Sequence, residues 1–222
     1  TRIRQEILMG LGGIRAFEAM GIKPDIFHMN EGHSAFLALE RIRNLMNSEG
    51  LTFQQAREIT AASNIFTTHT PVPAGLEQFE IPLVAEHLTD YSRSLGLNFD
   101  QFIDLGRETI DNRQVFSMPV LALRLSAGAN GVAQLHGVVS RRMWQFMYPG
   151  VPQDEVPIQA VTNGIHVQTW ISGDMGQLLD RYIDPTWRQD ESQPKIWESI
   201  DTIPDAELWR VHERRRSELI VF

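Results

Sequence analysis

Apolar residues fall along the chain in short, regularly interrupted groups, and their spacing predicts alternating strands and helices. Asn64-Ile65-Phe66-Thr67-Thr68 is a β-branched run long enough for one buried strand. It ends at His69, and in the Thr70-Pro71-Val72-Pro73 that follows two prolines fix φ and remove two backbone donors. A strand that stops at a histidine on a stiff turn presents that imidazole at the carboxyl edge of a sheet, where ligands bind in open α/β folds. Upstream, residues 4–20 read as helix, with Gly10, Gly12 and Gly13 marking close backbone packing or a kink. Asp25 to Asn30 reads as a strand. Glu31-Gly32-His33 reads as a tight turn, with Gly32 supplying conformational freedom and Ser34 capping the next helix. That helix carries Phe36, Leu39, Ile42 and Met46 on one stripe and stops at Gly50. Thr52 with Gln55 forms a capping box for a further helix to about Ala62. Strand, helix, helix, strand is a crossover, so the two strands are expected to pair in parallel.

Farther on, residues 81–95 and 99–105 read as helices, and the polar stretch Glu108 to Gln114 as a surface loop. Met118 to Ser126 is an apolar helix or buried segment leading to Gly128-Ala129-Asn130-Gly131-Val132, and Gln134 to Met147 another helix. Ile158 to Thr162 is the last clear strand and ends in Asn163-Gly164-Ile165-His166. Everything beyond is helical, closing with a helix from Pro204 that has Leu208, Val211, Leu219 and Phe222 on one side. That region carries Trp170, Trp187, Trp197 and Trp209, a large apolar load with little visible core to take it, so much of it is expected to stay exposed. The fold class is α/β, a parallel sheet flanked by helices.

Composition narrows the functions. Of 222 residues, 42% are hydrophobic and 22% charged, the profile of a globular protein. A net charge of −8 argues against a nucleic-acid partner. The absence of cysteine removes disulfides and thiolate chemistry and fits a reducing, cytoplasmic setting. No apolar run is long enough to cross a membrane. A chain that begins at Thr1 and ends inside a helical pattern reads as a piece of a longer protein. His28 and His33 straddle a turn without a nearby third ligand, so no metal site is expected. His87 and His212 read as solvated helix residues, and Arg214-Arg215-Arg216 as an exposed face.

Four short loops share one chemistry: Asn30-Glu31-Gly32-His33, His69-Thr70-Pro71, Asn130-Gly131-Val132 and Asn163-Gly164-Ile165-His166. Amides, imidazoles and a single carboxylate suit a ligand rich in hydroxyls, each of which both donates and accepts. Phosphate or nucleotide would instead call for Arg, Lys or a glycine-rich cradle. Carbohydrate is the expected ligand class.

These stretches also resemble the α-glucan (glycogen/starch/maltodextrin) phosphorylases. His28-Met29-Asn30-Glu31-Gly32-His33-Ser34-Ala35-Phe36 is similar to that family's Asn-acid-x-His segment in its shorter bacterial and archaeal form. Thr68-His69-Thr70 is similar to its strand-end His-Thr, and Asn130-Gly131-Val132-Ala133-Gln134-Leu135-His136 to its Asn-Gly-Val-Ala-x-x-His. Thr162-Asn163-Gly164-Ile165, with Trp170 after it, matches the Thr-Asn-Gly-x run and its following Trp. The four segments occur in register and in order.

The resemblance implies a retaining transfer of the non-reducing terminal glucosyl unit of an α-1,4-glucan or maltodextrin to inorganic phosphate, giving glucose 1-phosphate. It implies a two-domain Rossmann-like (GT-B) architecture. Residues 1–163 would be the C-terminal part of the N-terminal domain, and 164–222 the helical start of the C-terminal domain, its sheet absent. His69 would be the catalytic residue at the glucose, Asn163, Val132 and Glu31 would line the sugar pocket, and Trp170 would pack beside pyridoxal 5′-phosphate. A carboxylate near His69 would fix its tautomer and ring angle. The family's acidic position is usually Asp and is Glu31 here. The cofactor's lysine and the cations for substrate phosphate match nothing in this sequence, so the chain alone is expected to be inactive and to need the remainder of the same polypeptide. When complete, the protein is expected to form a homo-oligomer. The rival readings are a nucleotide-sugar-dependent glucan synthase, which needs Lys and Arg for a diphosphate, and a non-catalytic glucan-binding protein.

Overall fold

The computed structural model describes residues 1–72 and 76–221. The backbone divides into two compact units, Thr1–Asn163 and Gly164–Phe222. The first is α/β and holds a four-stranded sheet in the order β1-β2-β6-β7, all parallel. Its strands are β1 (Phe27–Asn30), β2 (Asn64–Thr68), β6 (Gly128–Gly131) and β7 (Gln159–Ala160). The expected parallel pairing of the first two strands is present. A second, antiparallel sheet in the order β3-β5-β4 is made by β3 (Gln78–Glu80), β4 (Arg107–Ile110) and β5 (Arg113–Ser117).

Three of these strands lie where the sequence pattern pointed elsewhere. The polar stretch from Glu108 to Gln114 is a hairpin, turned by Asp111 and Asn112 at φ 48° and 61°. Asp and Asn tolerate this left-handed conformation, and a two-residue turn of that kind matches the twist of its strands. Gly128-Ala129-Asn130-Gly131 carries no apolar alternation, yet its backbone pairs with β2 from Ile65 to Thr68.

The opening helix runs as α1 (Arg2–Ile7), a π-helical turn at Leu8–Gly12, and α2 (Gly13–Ala19). A Cβ on Gly10 would lie 2.7 Å from Phe36 Cβ and 2.8 Å from Leu37 N, so this glycine allows backbone to meet helix α3 (Phe36–Glu49). The glycines thus mark both the close packing and the irregular turn. α3 ends at Gly50 with φ 66°, and α4 (Phe53–Ala61) opens on the Thr52–Gln55 capping box. Downstream come α5 (Ile81–Ser94), α6 (Phe99–Asp104), α7 (Met118–Arg124) and α8 (Gln134–Met143).

The main core gathers Met29 and Phe66 from the sheet, Phe36, Leu39 and Ile42 from α3, and Phe102 and Phe116 beyond. Phe116 stacks on Phe36 and Phe102 with ring centroids 6.2 and 5.8 Å apart. Glu40 is fully buried there but satisfied by Arg15, Arg43 and the Tyr91 hydroxyl. Burial alone raises such a carboxyl, but the hydrogen bonds from Arg43, Arg15 and Tyr91 outweigh it and hold Glu40 below its ordinary range. The same burial, with Glu40 beside it, pushes the Tyr91 phenol up.

The second unit contains α9 (Val167–Trp170), α10 (Gly173–Tyr182), two 3₁₀ segments and α11 (Asp205–Val221). Its tryptophans do not all stay exposed. Trp187 is fully buried among Leu179, Ile183 and Ile196, with Trp197 tilted against it at 6.2 Å. The short 3₁₀ turn Pro185–Arg188 drives this indole inward, and its N–H donates to Asp180 at 3.1 Å. The unit therefore has a small core of its own. By contrast α11 has no buried side chain among the described residues.

Two pairs of substitutions test this packing. Trp187→Ala is expected to destabilise the helical unit by about 3–5 kcal/mol, the scale for emptying a buried aromatic site, whereas Trp209→Ala, at a residue 57% exposed, changes it little. Urea titration followed by tryptophan fluorescence reads both. In the first unit, Gly13→Ala adds a Cβ that meets nothing within 4 Å among the described residues and should stabilise the helix by about 0.5–1 kcal/mol. Gly32→Ala, whose Cβ would fall 2.9 Å from Pro119 N, should cost about 1–3 kcal/mol. Equal midpoints for the two glycine variants would contradict the packing described.

Candidate functional site

The parallel strands release their chain at one edge of the sheet. Register pairs Asn30 with Thr67 and Thr68 with Gly131, so Glu31, His69 and Val132 each follow a strand end there. Asn163 joins them by donating its backbone N–H to Val132 O at 3.0 Å.

Glu31 is the unusual residue of this edge. Its N–H still donates to Thr67 O at 2.9 Å, continuing the ladder, but its backbone then turns at φ 69° and ψ 172°. That region suits glycine and costs another residue of order 1–3 kcal/mol. The carboxylate repays the strain by folding back onto the end of β2. Its Oε1 accepts the backbone N–H of His69, that of Thr70 at 2.9 Å, and the Thr68 hydroxyl at 3.2 Å. Hydrogen bonds to a charged group contribute about 1.5–3 kcal/mol each, enough to offset the backbone cost.

The positive φ thus falls on Glu31 and not on Gly32, where conformational freedom was expected. Gly32 is needed for space: a Cβ there would lie 2.8 Å from Pro119 Cδ. Ser34 is not the helix cap either. The cap position of α3 is Ala35, and the Ser34 hydroxyl donates to Glu31 O at 3.4 Å.

The ring of His69 is held by a different group from the one expected. Its Nε2 pairs with Asn30 Oδ1, while the Glu31 carboxylate binds the main chain. With the amide oxygen as acceptor, the proton sits on Nε2 and leaves Nδ1 as an acceptor. The next row of polar residues continues across the sheet. His28 Nε2 lies 2.7 Å from Thr67 Oγ1, which donates to Asn130 Oδ1 at 2.8 Å. Because Thr67 spends its one proton on Asn130, it accepts from His28, which fixes that imidazole too as the Nε2–H tautomer.

On the other side, Val132 N–H donates to Nδ1 of the buried His136 at 3.1 Å. Both main-chain groups of Val132 are therefore engaged, one by His136 and one by Asn163. A ligand at this residue meets its side chain and the remaining lone pair of its carbonyl. Gly131 permits the approach, since a Cβ there would come 3.1 Å from His136 and Gly137. His69 and Asn163 themselves are exposed, and Glu31 and Val132 half-buried. Trp170 lies in the second unit and is 80% exposed.

Asn30, Thr67 and His136 hold this edge, yet the sequence reading gave them no separate role. The signal for Asn30 and Thr67 was polar residues at alternate positions of otherwise apolar strands. For His136 there was only its place in the Asn-Gly-Val loop. His87 is not solvated as expected: Arg4 Nε donates to its Nε2 at 3.0 Å and its Nδ1 faces Leu83 O at 3.0 Å. Among the described residues no group of three or more His, Asp or Glu could hold a metal ion. No helix among them is long and apolar enough to cross a membrane.

Comparison with known proteins identifies a family. The profile of the carbohydrate phosphorylases matches residues 16–219. The chain is 42% identical over 219 residues to the maltodextrin phosphorylase of Thermococcus litoralis, covering 99% of this chain and 26% of that protein. It is 41% identical over 230 residues to the glycogen phosphorylase of Mycobacterium tuberculosis, with the same coverage. With the glycogen phosphorylase of Aquifex aeolicus it shares 33% identity over 219 residues, 99% of this chain and 31% of the relative. The chain thus spans about a quarter to a third of the length of these curated relatives. It belongs to the carbohydrate phosphorylase family.

Proposed function

We propose that this chain forms one wall of the active site of an enzyme that transfers the terminal glucosyl unit of an α-1,4-glucan to inorganic phosphate with retention. In that reaction the C1–O bond to the departing sugar breaks and a C1–O bond to phosphate forms, while a proton passes from phosphate to the departing oxygen. The observation that carries the reading is the Glu31 clamp. A strained residue and three hydrogen bonds fix the His69 segment at the carboxyl edge of a parallel sheet, among side chains suited to hydroxyl groups.

In this reading His69 meets the glucosyl unit, its Nδ1 available to a hydroxyl and its carbonyl aimed at the reacting carbon. A carbonyl dipole fixed beside a carbon that gains positive charge favours the transition state over the ground state. Glu31 holds that backbone, and Asn163 and Val132 complete the sugar wall. We assign Thr1–Asn163 to the N-terminal Rossmann-like domain of a GT-B enzyme and Gly164–Phe222 to the helical start of its C-terminal domain. The sheet face bearing His28, Asn30, Ile65 and Val161 is uncovered, whereas parallel sheets ordinarily have both faces covered. The rest of the polypeptide is our candidate for that cover.

The cofactor this reading calls for is pyridoxal 5′-phosphate, which would supply a phosphate group for proton transfer. A lysine must hold its aldehyde and cations its phosphate. The chain has two lysines, Lys23 and Lys195, and Lys23 lies just before β1, at the opposite end of the sheet from His69. Glu31, His69, Val132 and Asn163 bring no permanent cation. These residues do not by themselves fit the cofactor, and the exposed indole of Trp170 is the one contact we assign to it. We accordingly assign no turnover to the 222-residue chain alone.

Two measurements on the complete enzyme test the wall. His69→Ala should lower kcat/KM by about 2–4 kcal/mol, the scale of one lost transition-state contact, and His212→Ala, exposed on α11, should leave it unchanged. Equal losses would remove His69 from the site. Glu31→Gln should lower kcat by about 1.5–3 kcal/mol through the weakened hold on His69 and Thr70. Glu31→Gly, which relieves the backbone but removes the carboxylate, should melt near the parent temperature and lose at least as much activity. A Glu31→Gly enzyme with full kcat would show that the clamp does not matter.

A further inference from the structure

Asn30 and Glu31 are consecutive, and each takes hold of His69 at a different place. Asn30 closes β1 and pairs in register with Thr67, two residues before His69. The Glu31 carboxylate accepts the backbone N–H of His69, and Asn30 Oδ1 accepts the ring N–H at Nε2. One neighbour fixes the main chain and the other the imidazole. Both Asn30 and His69 are exposed, so the rest of the ring is open to a ligand. The row beside them has the same one-way order. Thr67 Oγ1 donates to Asn130 Oδ1 at 2.8 Å, and Asn130 Nδ2 donates to Gly131 O at 3.2 Å, which fixes that amide with its oxygen toward Thr67.

We propose that Asn30 is a positioning residue that sets the polarity of the sugar wall: by keeping the His69 proton on Nε2 it makes Nδ1 an acceptor only, so the sugar must offer a hydrogen-bond donor at the position His69 meets. A hydroxyl or an amino group fills that place. A fluorine, a methoxy group or an ionised carboxylate does not, because none of them donates. The selectivity rests on the reading of His69 as the sugar-side residue, whereas the tautomer does not.

The argument turns on what a neutral imidazole has to offer. It carries one N–H and one lone-pair nitrogen, so the partner at Nε2 decides what Nδ1 can do. An acceptor at Nε2 leaves Nδ1 to accept, and a donor there would make Nδ1 donate. A substituent that cannot donate therefore sets its lone pairs against that of Nδ1. Moving the proton to Nδ1 would repeat the same clash at Nε2 unless the Asn30 amide also turned over, so the ring adapts only at the cost of two linked changes. A site built to accept from one hydroxyl rejects the analogue lacking it, because the protein group is then left without a partner.

Two measurements on the complete enzyme separate the tautomer from the selectivity. Nitrogen NMR of labelled histidine distinguishes a ring nitrogen that carries a proton from one that does not, and the His69 signals are those lost in His69→Ala. The parent should hold the proton on Nε2. Asn30→Asp, isosteric and also an acceptor, should keep it there, and Asn30→Leu, which neither donates nor accepts, should give a mixture of the two forms. A parent with the proton on Nδ1, or an Asn30→Leu enzyme with the parent's tautomer, overturns the proposal. The second measurement is kcat/KM, with maltodextrin as acceptor, for glucose 1-phosphates in which one hydroxyl at a time is replaced by hydrogen or by fluorine. At the position that meets His69, the hydrogen analogue should lose about tenfold, and fluorine should bring no recovery. In Asn30→Leu the ratio of fluorine to hydrogen analogue should rise several-fold at that position alone, a comparison in which the effect of fluorine on the chemistry itself cancels. An unchanged ratio would remove Asn30 from the selection. A parent with the Nε2 proton but no position behaving in this way would instead overturn the reading of His69 as the sugar-side residue.

Discussion

The edge of the parallel sheet depends on one bargain between backbone and side chain at Glu31. A residue with a Cβ sits in a conformation that only glycine takes easily, and it stays there because its own carboxylate binds three groups at the end of the neighbouring strand. Replace the side chain and the reason for the strain disappears; relax the backbone and the carboxylate no longer points at β2. The two strands adjoin in parallel, so the residue after one strand lies beside the residue after the other. Such a clamp can arise only where both strands end together.

The surroundings leave Glu31 little freedom. Gly32, pressed against Pro119, sets where the chain goes next, and α7 carrying that proline starts one residue after β5. The Met118 N–H returns to the carbonyl of Glu77, just before β3. Rigid elements on both sides thus fix where Glu31 can point.

Strong local signals made the strand at Asn64, the capping box at Thr52, the stop at Gly50 and the parallel crossover readable in the sequence. The segment Gly128–Gly131 was not readable as strand because its partner, not its side chains, makes it one. The hairpin Arg107–Ser117 hid behind charged outward residues, although Asp111-Asn112 carried the turn signal and Val115-Phe116 the inward face. At the site, His69, Glu31, Val132 and Asn163 were named from their loops. Which atom of Glu31 binds which group could not be read, since the answer turns on a backbone angle no motif encodes. The placement of Asn30 at the His69 ring followed from register, a property of two strands and not of either alone. Trp170 and Trp209 are exposed as expected, but the burial of Trp187 could not be read, because a nine-residue 3₁₀ segment, Pro194–Thr202, brings Ile196 and Trp197 over it, and short irregular helices leave no periodic trace.

The polar row across the sheet explains why the exposed face tolerates so many unlike groups. Thr67 passes its proton to Asn130 and takes one from His28, and beside it Asn30 takes one from His69. Each donor has an acceptor of fixed identity, so both imidazoles are held as a single tautomer and in a single orientation. A hydroxyl-bearing ligand arriving at His69 therefore meets an acceptor nitrogen whose direction is already set, and no reorganisation of the ring is required when it binds. That advantage depends on Asn30 keeping its oxygen toward the ring. The constraint traces through Thr67 and Asn130 to the register of three adjacent strands. A slip of one residue in β2 would turn Thr67 to the core face and release both histidines together, so the sheet's pairing and the chemistry of its edge are one requirement on this sequence.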